Sequence, residues 1–368
     1  MTQEKVALMD HFNTLSDPRS GNAVRHNFYD ILIIALCAAI CGADSWRDVE
    51  TFGVAKEYWL RRFLALPHGI PSHDTFTRIF AAVNTDAVAA AFISWTSAVA
   101  HKTDGEVIAI DGKTLRHSYN RQSDQAALQM VSAWASHNRL VLGQVAVETT
   151  SNEITAIPKL LNLLEVSGCI VTIDAIGCQQ DIATQIVEQG ADYVLAVKAN
   201  QGSLWNEAHT CFTTVADEMS TFQTEDIGHG RHEFRRYWMT EHLPVPLRQI
   251  QWTGLRSMGM VEATRTVGDK TSVERRYYIS SLPADAKRLA RAIRGHWEIE
   301  NQVHWVLDMV FDEDQRRMRE RQSTTNGAML RRLALNMLRQ DLTPKVSLRR
   351  KRLKAGWDTT YLESLLNL

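Results

Sequence analysis

The chain has 368 residues, is 45% hydrophobic and 23% charged, and sets 41 Lys and Arg against 42 Asp and Glu for a net charge of −1. That balance belongs to an ordinary globular protein with two or three cores and does not by itself announce a polyanionic partner. It excludes a membrane-spanning chain, because the longest apolar run, 31–40, is about half of what crosses a bilayer. It also excludes a disulfide framework: Cys37, Cys41, Cys169, Cys178 and Cys211 form no CxxC pair and read as reduced thiols of a cytoplasmic protein. The opening Met-Thr-Gln-Glu-Lys carries no signal pattern.

Residues 1–100 read as an all-helical domain. Apolar positions recur at helical spacing over 31–40, 46–63 and 76–99, interrupted at Gly42, at Pro67-His-Gly-Ile-Pro71 and at Asn84. Ser72 followed by a polar first turn is a helix start. The short helix it opens matches the second helix of a helix-turn-helix, with Ser72, His73, Thr75 and Arg78 toward DNA, although any helical hairpin gives the same pattern.

From 106 the period changes. Strands are predicted over 106–111, 129–135, 140–148, 170–174 and 193–197, and helices over 155–166, 179–189 and 203–212. The first three strands, joined by short polar turns, suit an antiparallel meander, while the later ones alternate with helices as in βαβ units. This α/β order predicts a ribonuclease H-like mixed sheet in which the first and fourth strands are neighbours. Strand patterns return at 229–238, 260–267 and 273–279, then helices at 286–311 and 325–338. The expected division is a helical domain (1–100), a catalytic core in two parts (101–221 and 282–342), a β-rich insertion (222–281) and a basic tail (343–368).

Charge is distributed unevenly near that tail. Arg316, Arg317, Arg319, Arg321, Arg331, Arg332, Arg339, Lys345, Arg349, Arg350, Lys351, Arg352 and Lys354 stand against only Glu320 and Asp341. In a chain balanced overall this predicts a local anionic partner, or, more plainly, a solvated helix face.

Three acids stand out by context. Asp111 ends the run Val107-Ile-Ala-Ile, Asp174 ends Ile170-Val-Thr-Ile, and Glu300 lies in His296-Trp-Glu-Ile-Glu-Asn301 on a predicted helix. Carboxylates at strand ends lie at the sheet rim, where α/β proteins gather ligands. Mg²⁺ is hard and octahedral and is usually held by one or two carboxylates, with phosphate completing its shell. Two such ions about 4 Å apart serve an in-line displacement at a phosphodiester. On this reading Asp111 bridges both ions, and Asp174 and Glu300 each complete one.

Taken singly, a strand-end Asp is often a turn former or helix cap, and a helical Glu is most often solvated. The neighbourhood raises the set above that. Gly112-Lys-Thr-Leu-Arg116 puts small and basic groups where phosphates would lie, and His296, Glu300, His304 and Asp308 recur at intervals of four on one helical face. The His-Glu-His row is also a zinc pattern, though without the general-base partner of a metalloprotease. Gly112-Lys-Thr is no P-loop, because position 107 is valine. An aspartyl-phosphate phosphatase would want a second Asp at 113, which is lysine.

Leu15-Ser-Asp-Pro-Arg19, Cys41-Gly-Ala-Asp-Ser-Trp46, Pro71-Ser-His-Asp-Thr75, Ile110-Asp-Gly-Lys-Thr-Leu-Arg116, Val197-Lys-Ala-Asn-Gln201, His229-Gly-Arg231, His296-Trp-Glu-Ile-Glu-Asn301 and His304-Trp-Val-Leu-Asp308 together carry a resemblance. Over nearly its whole length the chain resembles bacterial insertion-sequence transposases of the H-repeat-associated (Rhs-element) type, a branch of the DDE transposases with a β-insertion. The resemblance implies Asp111, Asp174 and Glu300 as the catalytic, metal-binding triad. It implies cleavage at the element's ends and strand transfer by a 3′-hydroxyl, without a covalent protein–DNA intermediate.

The leading reading is therefore a Mg²⁺-dependent enzyme, with Mn²⁺ as substitute, acting as a homodimer on terminal inverted repeats and target DNA at the nucleoid. Related transposases carry Tyr-x2-Arg-x3-Glu-x6-Lys around the last acid; with Glu300 as that Glu, the other positions here are Ile293, His296 and Leu307. Arg294-x3-Glu298 keeps the Arg–Glu spacing in another register, flanked by Arg291 and Trp305. Phosphate gripping then falls to Arg294, Lys113 or Lys198, with Arg116 and His296 nearby. Arg231, Arg235 and Arg236 on the insertion are candidate backbone contacts. Two other readings stand beside it: a transposase-derived DNA-binding protein without activity, and a ribonuclease H-like nuclease without strand transfer.

Overall fold

A computed structural model describes residues 8–366 except 22–23, 102, 120–125, 150, 215–218, 229, 246–251, 317, 319 and 344. Five helices come first: α1 (Leu8–Phe12), α2 (Phe28–Cys41), α3 (Trp46–Leu60), α4 (His73–Ala82) and α5 (Thr85–Val99). Then follow β1 (Val107–Leu115), β2 (Leu128–Ala135), β3 (Leu140–Ala146), α6 (Glu153–Leu163), β4 (Ile170–Ile173), α7 (Gln180–Glu188), β5 (Asp192–Val197) and α8 (Gly202–Thr214). Four strands come next: β6 (Ser220–Gly228), β7 (Arg231–Thr240), β8 (Ser257–Val267) and β9 (Lys270–Ser280). The chain closes with α9 (Ala286–Glu298), a π-helical segment (Ile299–His304), α10 (Trp305–Phe311), α11 (Arg321–Gln340), α12 (Leu348–Trp357) and α13 (Thr359–Leu366).

One nine-stranded sheet has the order β3-β2-β1-β4-β5-β9-β8-β7-β6. β1 is antiparallel to β2 and parallel to β4, which is parallel to β5. This is the expected ribonuclease H-like arrangement, with the first and fourth strands adjacent. The near-continuous apolar runs of β1 and β4 suit strands covered on both faces. The β-rich stretch is not a separate layer: β9 pairs with β5, so β6–β9 prolong the same sheet.

The first helices pack against the last. Beyond its first turn, where buried Asp30 accepts from Leu66 N–H (2.9 Å), α2 is apolar, and it is fully buried at Ile31, Ile34 and Ile40. It is started by the Asn27 side chain and flanked by α3, which opens with a capping box between Ser45 and Asp48. α11 and α12 also lie against α2. The Arg352 guanidinium of α12 donates to Ala39 O (3.0 Å), to Ile40 O (3.3 Å) and to Val310 O, and sits 4.1 Å above the Phe311 ring.

Three sequence expectations need correction. The basic tail is folded as α12 and α13, with Lys351 and Arg352 buried. The one-sided charge of 316–354 is largely internal: Arg331 and Arg332 bind buried Glu313 (2.9 and 2.8 Å), Arg339 lies 4.6 Å over Trp134, and Arg316 bonds Phe311 O and Asp44. Arg317 and Arg319 lie outside the described residues, as does His229 at the start of a predicted strand. The helix-turn-helix is not formed as expected, since residues 61–72 separate α3 from α4, far more than its tight turn, and Glu50 binds the His73 ring (2.7 Å). Among the described residues no single helix is long and apolar enough to cross a membrane, and Cys37, Cys41, Cys178 and Cys211 are free thiols.

Glu313 anchors two guanidiniums in a dry interior. Burial alone would raise its carboxyl, but Arg332 and Arg331 outweigh that and hold it at about 2. Glu313→Gln should therefore destabilise the fold by about 3 kcal/mol, because it strands buried positive charge. The pair's contribution should be present above the usual carboxylate range and lost as pH falls from about 4.5 toward 2. Urea unfolding with a change below about 1 kcal/mol would contradict the buried-triad account.

Candidate metal centre

β1 runs to Leu115 along β2, but its pairing with β4 ends at Ile110↔Ile173. The next residues are Asp111 and Asp174, so both acids emerge where the edge of β1 facing β4 becomes free. Parallel strands in register put them side by side on one face, together with Thr172. Asp174 also caps a 3₁₀ turn, accepting from Ile176 N–H (3.0 Å), and its other oxygen is 3.8 Å from Lys198 Nζ.

The third acid comes from the helix covering that face. α9 approaches β1 closely because position 295 is glycine; a Cβ there would press on Val107. The helix predicted as continuous over 286–311 is interrupted by the π segment, in which Trp305 N–H bonds Glu300 O. Such wide turns occur often at functional sites. Here Glu300 and His304 reach Asp111, with His304 Nδ1 at 2.8 Å from Glu300 Oε2 and 3.5 Å from Asp111 Oδ2. Ligand atoms of Asp111, Glu300 and His304 lie within 4.8 Å of one another. Glu298, the rival for the last acid, instead accepts from Trp134 Nε1 (3.4 Å).

His304 is almost wholly buried, and its Nε2 has no partner. A proton on Nδ1 donates to Glu300 and leaves Nε2 as a bare acceptor, which costs less than a buried, unmet N–H. His304 is thus better read as the group that orients Glu300 than as a nitrogen ligand. His296 does not join it; the ring shares a 3.1 Å hydrogen bond with Thr172 Oγ1, so the zinc row does not assemble.

Electrostatics follow the geometry. Burial pushes the Asp111 carboxyl up to about 6; His304 opposes the rise, and Asp174 and Glu300 add to it. The bond from His304 holds Glu300 below its usual range. Burial holds His296 down, favouring its neutral form.

The expected phosphate contacts fare unequally. Lys113 is buried and paired with Asp308 (2.6 Å) and Asp314 (3.6 Å). Arg235 is buried between Asp226 and Glu233, and His296 is buried as described. Arg116, Lys198, Arg231, Arg236, Arg294 and Arg78 are exposed. Of these, Lys198 lines the acid cleft and Arg294 lines an adjoining groove together with Arg231, Arg265 and Arg276. Sequence reasoning missed Arg276, 4.8 Å over the Trp297 ring, because an Arg on an exposed strand carries no signal of its own. It also missed Glu153, whose carboxyl is raised by burial and then by Asp111 and Asp174.

The chain matches the family described as "Transposase DDE domain" over residues 102–337, and the one described as "DDE_Tnp_1-associated" over residues 9–96. It is 40% identical to "Putative transposase YncI" of Escherichia coli O157:H7, over 98% of this chain and 94% of that protein. It is 38% identical to "H repeat-associated putative transposase YhhI" of Escherichia coli K12, over 99% of this chain and 98% of the relative. Among solved structures, a piggyBac transposase synaptic complex with hairpin DNA aligns over 98% of this chain and 76% of that one, at 10% identity and a TM-score of 0.44.

Asp111 carries a folding cost. Its native carboxyl binds a proton up to about pH 6 against 3.8 ordinarily, so the native state holds more protons than the unfolded one between those values. Stability should accordingly fall as pH rises through that window. Without metal, Asp111→Asn should gain about 2 kcal/mol at about pH 8, and the gain should vanish below about pH 4. A variant less stable than wild type at the higher pH, by urea unfolding, would overturn this account.

Proposed function

The chain belongs to the DDE transposase family, and on that premise we propose that it cuts DNA at the ends of its own insertion element and joins the freed 3′-hydroxyl to a target. Asp111, Asp174 and Glu300 are its catalytic acids. The observation that carries this reading is the convergence of Asp111 and Glu300, joined through buried His304, at a cleft that Asp174 also lines.

The residues suit Mg²⁺, or Mn²⁺ in its place. Carboxylates dominate the set, and among the described residues the ionic partner of Asp111 is His304, while Lys113 is held by Asp308 and Asp314. Divalent cations bound there supply Lewis acidity at the attacking and leaving oxygens of a phosphodiester. Asp111, Asp174 and Glu300 would hold the cations, with Asp111 as the residue common to both. His304 keeps Glu300 turned inward. Lys198, Arg276 and Arg294 offer positive charge to the phosphates, and the adjoining groove receives the DNA backbone without reading its sequence.

The helices of 1–100 take the element's terminal repeats, with the exposed Arg78 among the contacts. Two copies hold the two ends together in the cytoplasm, at the nucleoid.

Incubation with Mg²⁺ and a DNA fragment carrying the element's own ends tests the proposal. Wild type should cut at the ends, and Asp111→Ala should lower that rate at least about a thousandfold, equivalent to about 4 kcal/mol. Equal cutting by both would sink the catalytic assignment. No cutting by either, with end binding retained, would point to a DNA-binding protein without activity.

A further inference from the structure

Both halves of the acid cluster sit where the backbone is least supported. β1 pairs with β2 over residues 108–115 but with β4 only as far as Ile110, so the stretch carrying Asp111 has one open edge. Opposite it, Glu300 and His304 lie in the π segment, where the regular helical ladder is interrupted. A metal site needs its groups held to within about 0.5 Å. Neither backbone supplies that alone.

One ion pair ties the two stretches together. Lys113 is two residues beyond Asp111 and so shares its face of β1. Asp308 is four residues beyond His304, in the first turn of α10, and shares its face of the helix. Lys113 Nζ donates to both carboxylate oxygens of Asp308, at 2.7 and 2.6 Å, and the lysine side chain is only 8% exposed. The 3.5 Å contact of Asp111 with His304 and this bond are thus two rungs between one strand and one helix. Asp314 stands 3.6 Å from the same ammonium and 3.3 Å from Arg116 Nε, which holds the lysine from a second direction.

The chemistry of the pair suits a geometric task. A buried ammonium bonded to both oxygens of a carboxylate is not presented to a phosphate. Stability is a weak reason for it, since a buried ion pair gains little over apolar side chains of similar volume. What it adds is direction: two charge-assisted bonds fix the lysine on the carboxylate, and with it the approach of α10 to β1.

We propose that Lys113 and Asp308 are positioning residues of the metal centre. Their ion pair clamps β1 to α10 and so sets Asp111 against Glu300 and His304 at the spacing a cation requires. This rests on the reading of Asp111, Asp174 and Glu300 as metal ligands. The pair itself touches neither cation nor DNA.

The test combines Lys113→Met with Asp308→Leu in the full chain, which replaces both charges by apolar groups and leaves Asp314 with Arg116. The melting temperature should stay within about 5 °C of wild type, and affinity for a duplex carrying the element's ends should not change. Mn²⁺ binding without DNA, by calorimetry, should weaken about tenfold or more. With Mg²⁺, kcat for end cutting should fall about ten- to a hundredfold at unchanged KM. Asp308→Asn, which leaves Asp314 to pair the lysine, should show the same pattern to a smaller extent and serves if the double variant does not fold. A merely structural pair would lower the melting temperature while the folded fraction kept wild-type kcat and Mn²⁺ affinity. That outcome, or wild-type values throughout, would overturn the role of the pair and leave the three acids as assigned. Wild type that binds no more Mn²⁺ than Asp111→Ala would overturn the metal reading as well.

Discussion

The parallel pairing of β1 with β4 is the constraint on which the rest depends. It sets Ile110 opposite Ile173 and then stops, so that Asp111 and Asp174 leave the ladder together, on one face and beside a free strand edge. A one-residue slip in that register would send one aspartate to the opposite face. The apolar runs covered on both sides enforce the register, because every alternative would trade buried isoleucine and valine for carboxylate. Around that point the other groups fall into place: His296 on Thr172, His304 between two acids, and Lys113 beneath them with acids of its own.

The β-rich stretch belongs to the same construction. Its last strand, β9, pairs with β5 at one end and contributes Glu274, Arg276 and Tyr278 to the cleft wall. What reads in sequence as an interruption of the α/β order is the continuation of its sheet. The groove beside the acids is therefore built largely on strands of the sheet that carries Asp111.

Much of this was legible in the residues. Short apolar runs bounded by turns mark β1, β4 and β5, and the change from meander to alternation places β1 beside β4. The π segment was not legible, because Ile299, Val303, Val306 and Leu307 are buried and keep a helical apolar spacing through it. The basic run misled because composition cannot distinguish an arginine in water from one bonded to buried carbonyls, as Arg352 is, or to a buried acid, as Arg332 is. Lys113 misled for a similar reason: its partners Asp308 and Asp314 are distant in the chain.

The bond from Arg352 to the end of α2 has a consequence for the order in which the molecule comes into being. The carbonyls of Ala39 and Ile40 emerge from the ribosome early, and the side chain that satisfies them emerges some three hundred residues later. Glu300 likewise arrives long after the aspartates it joins. During synthesis, then, these carbonyls await Arg352 and the aspartates await Glu300. Contacts of such long range also make folding slow. An unfinished chain therefore lacks the last of the three acids on which the proposed chemistry depends.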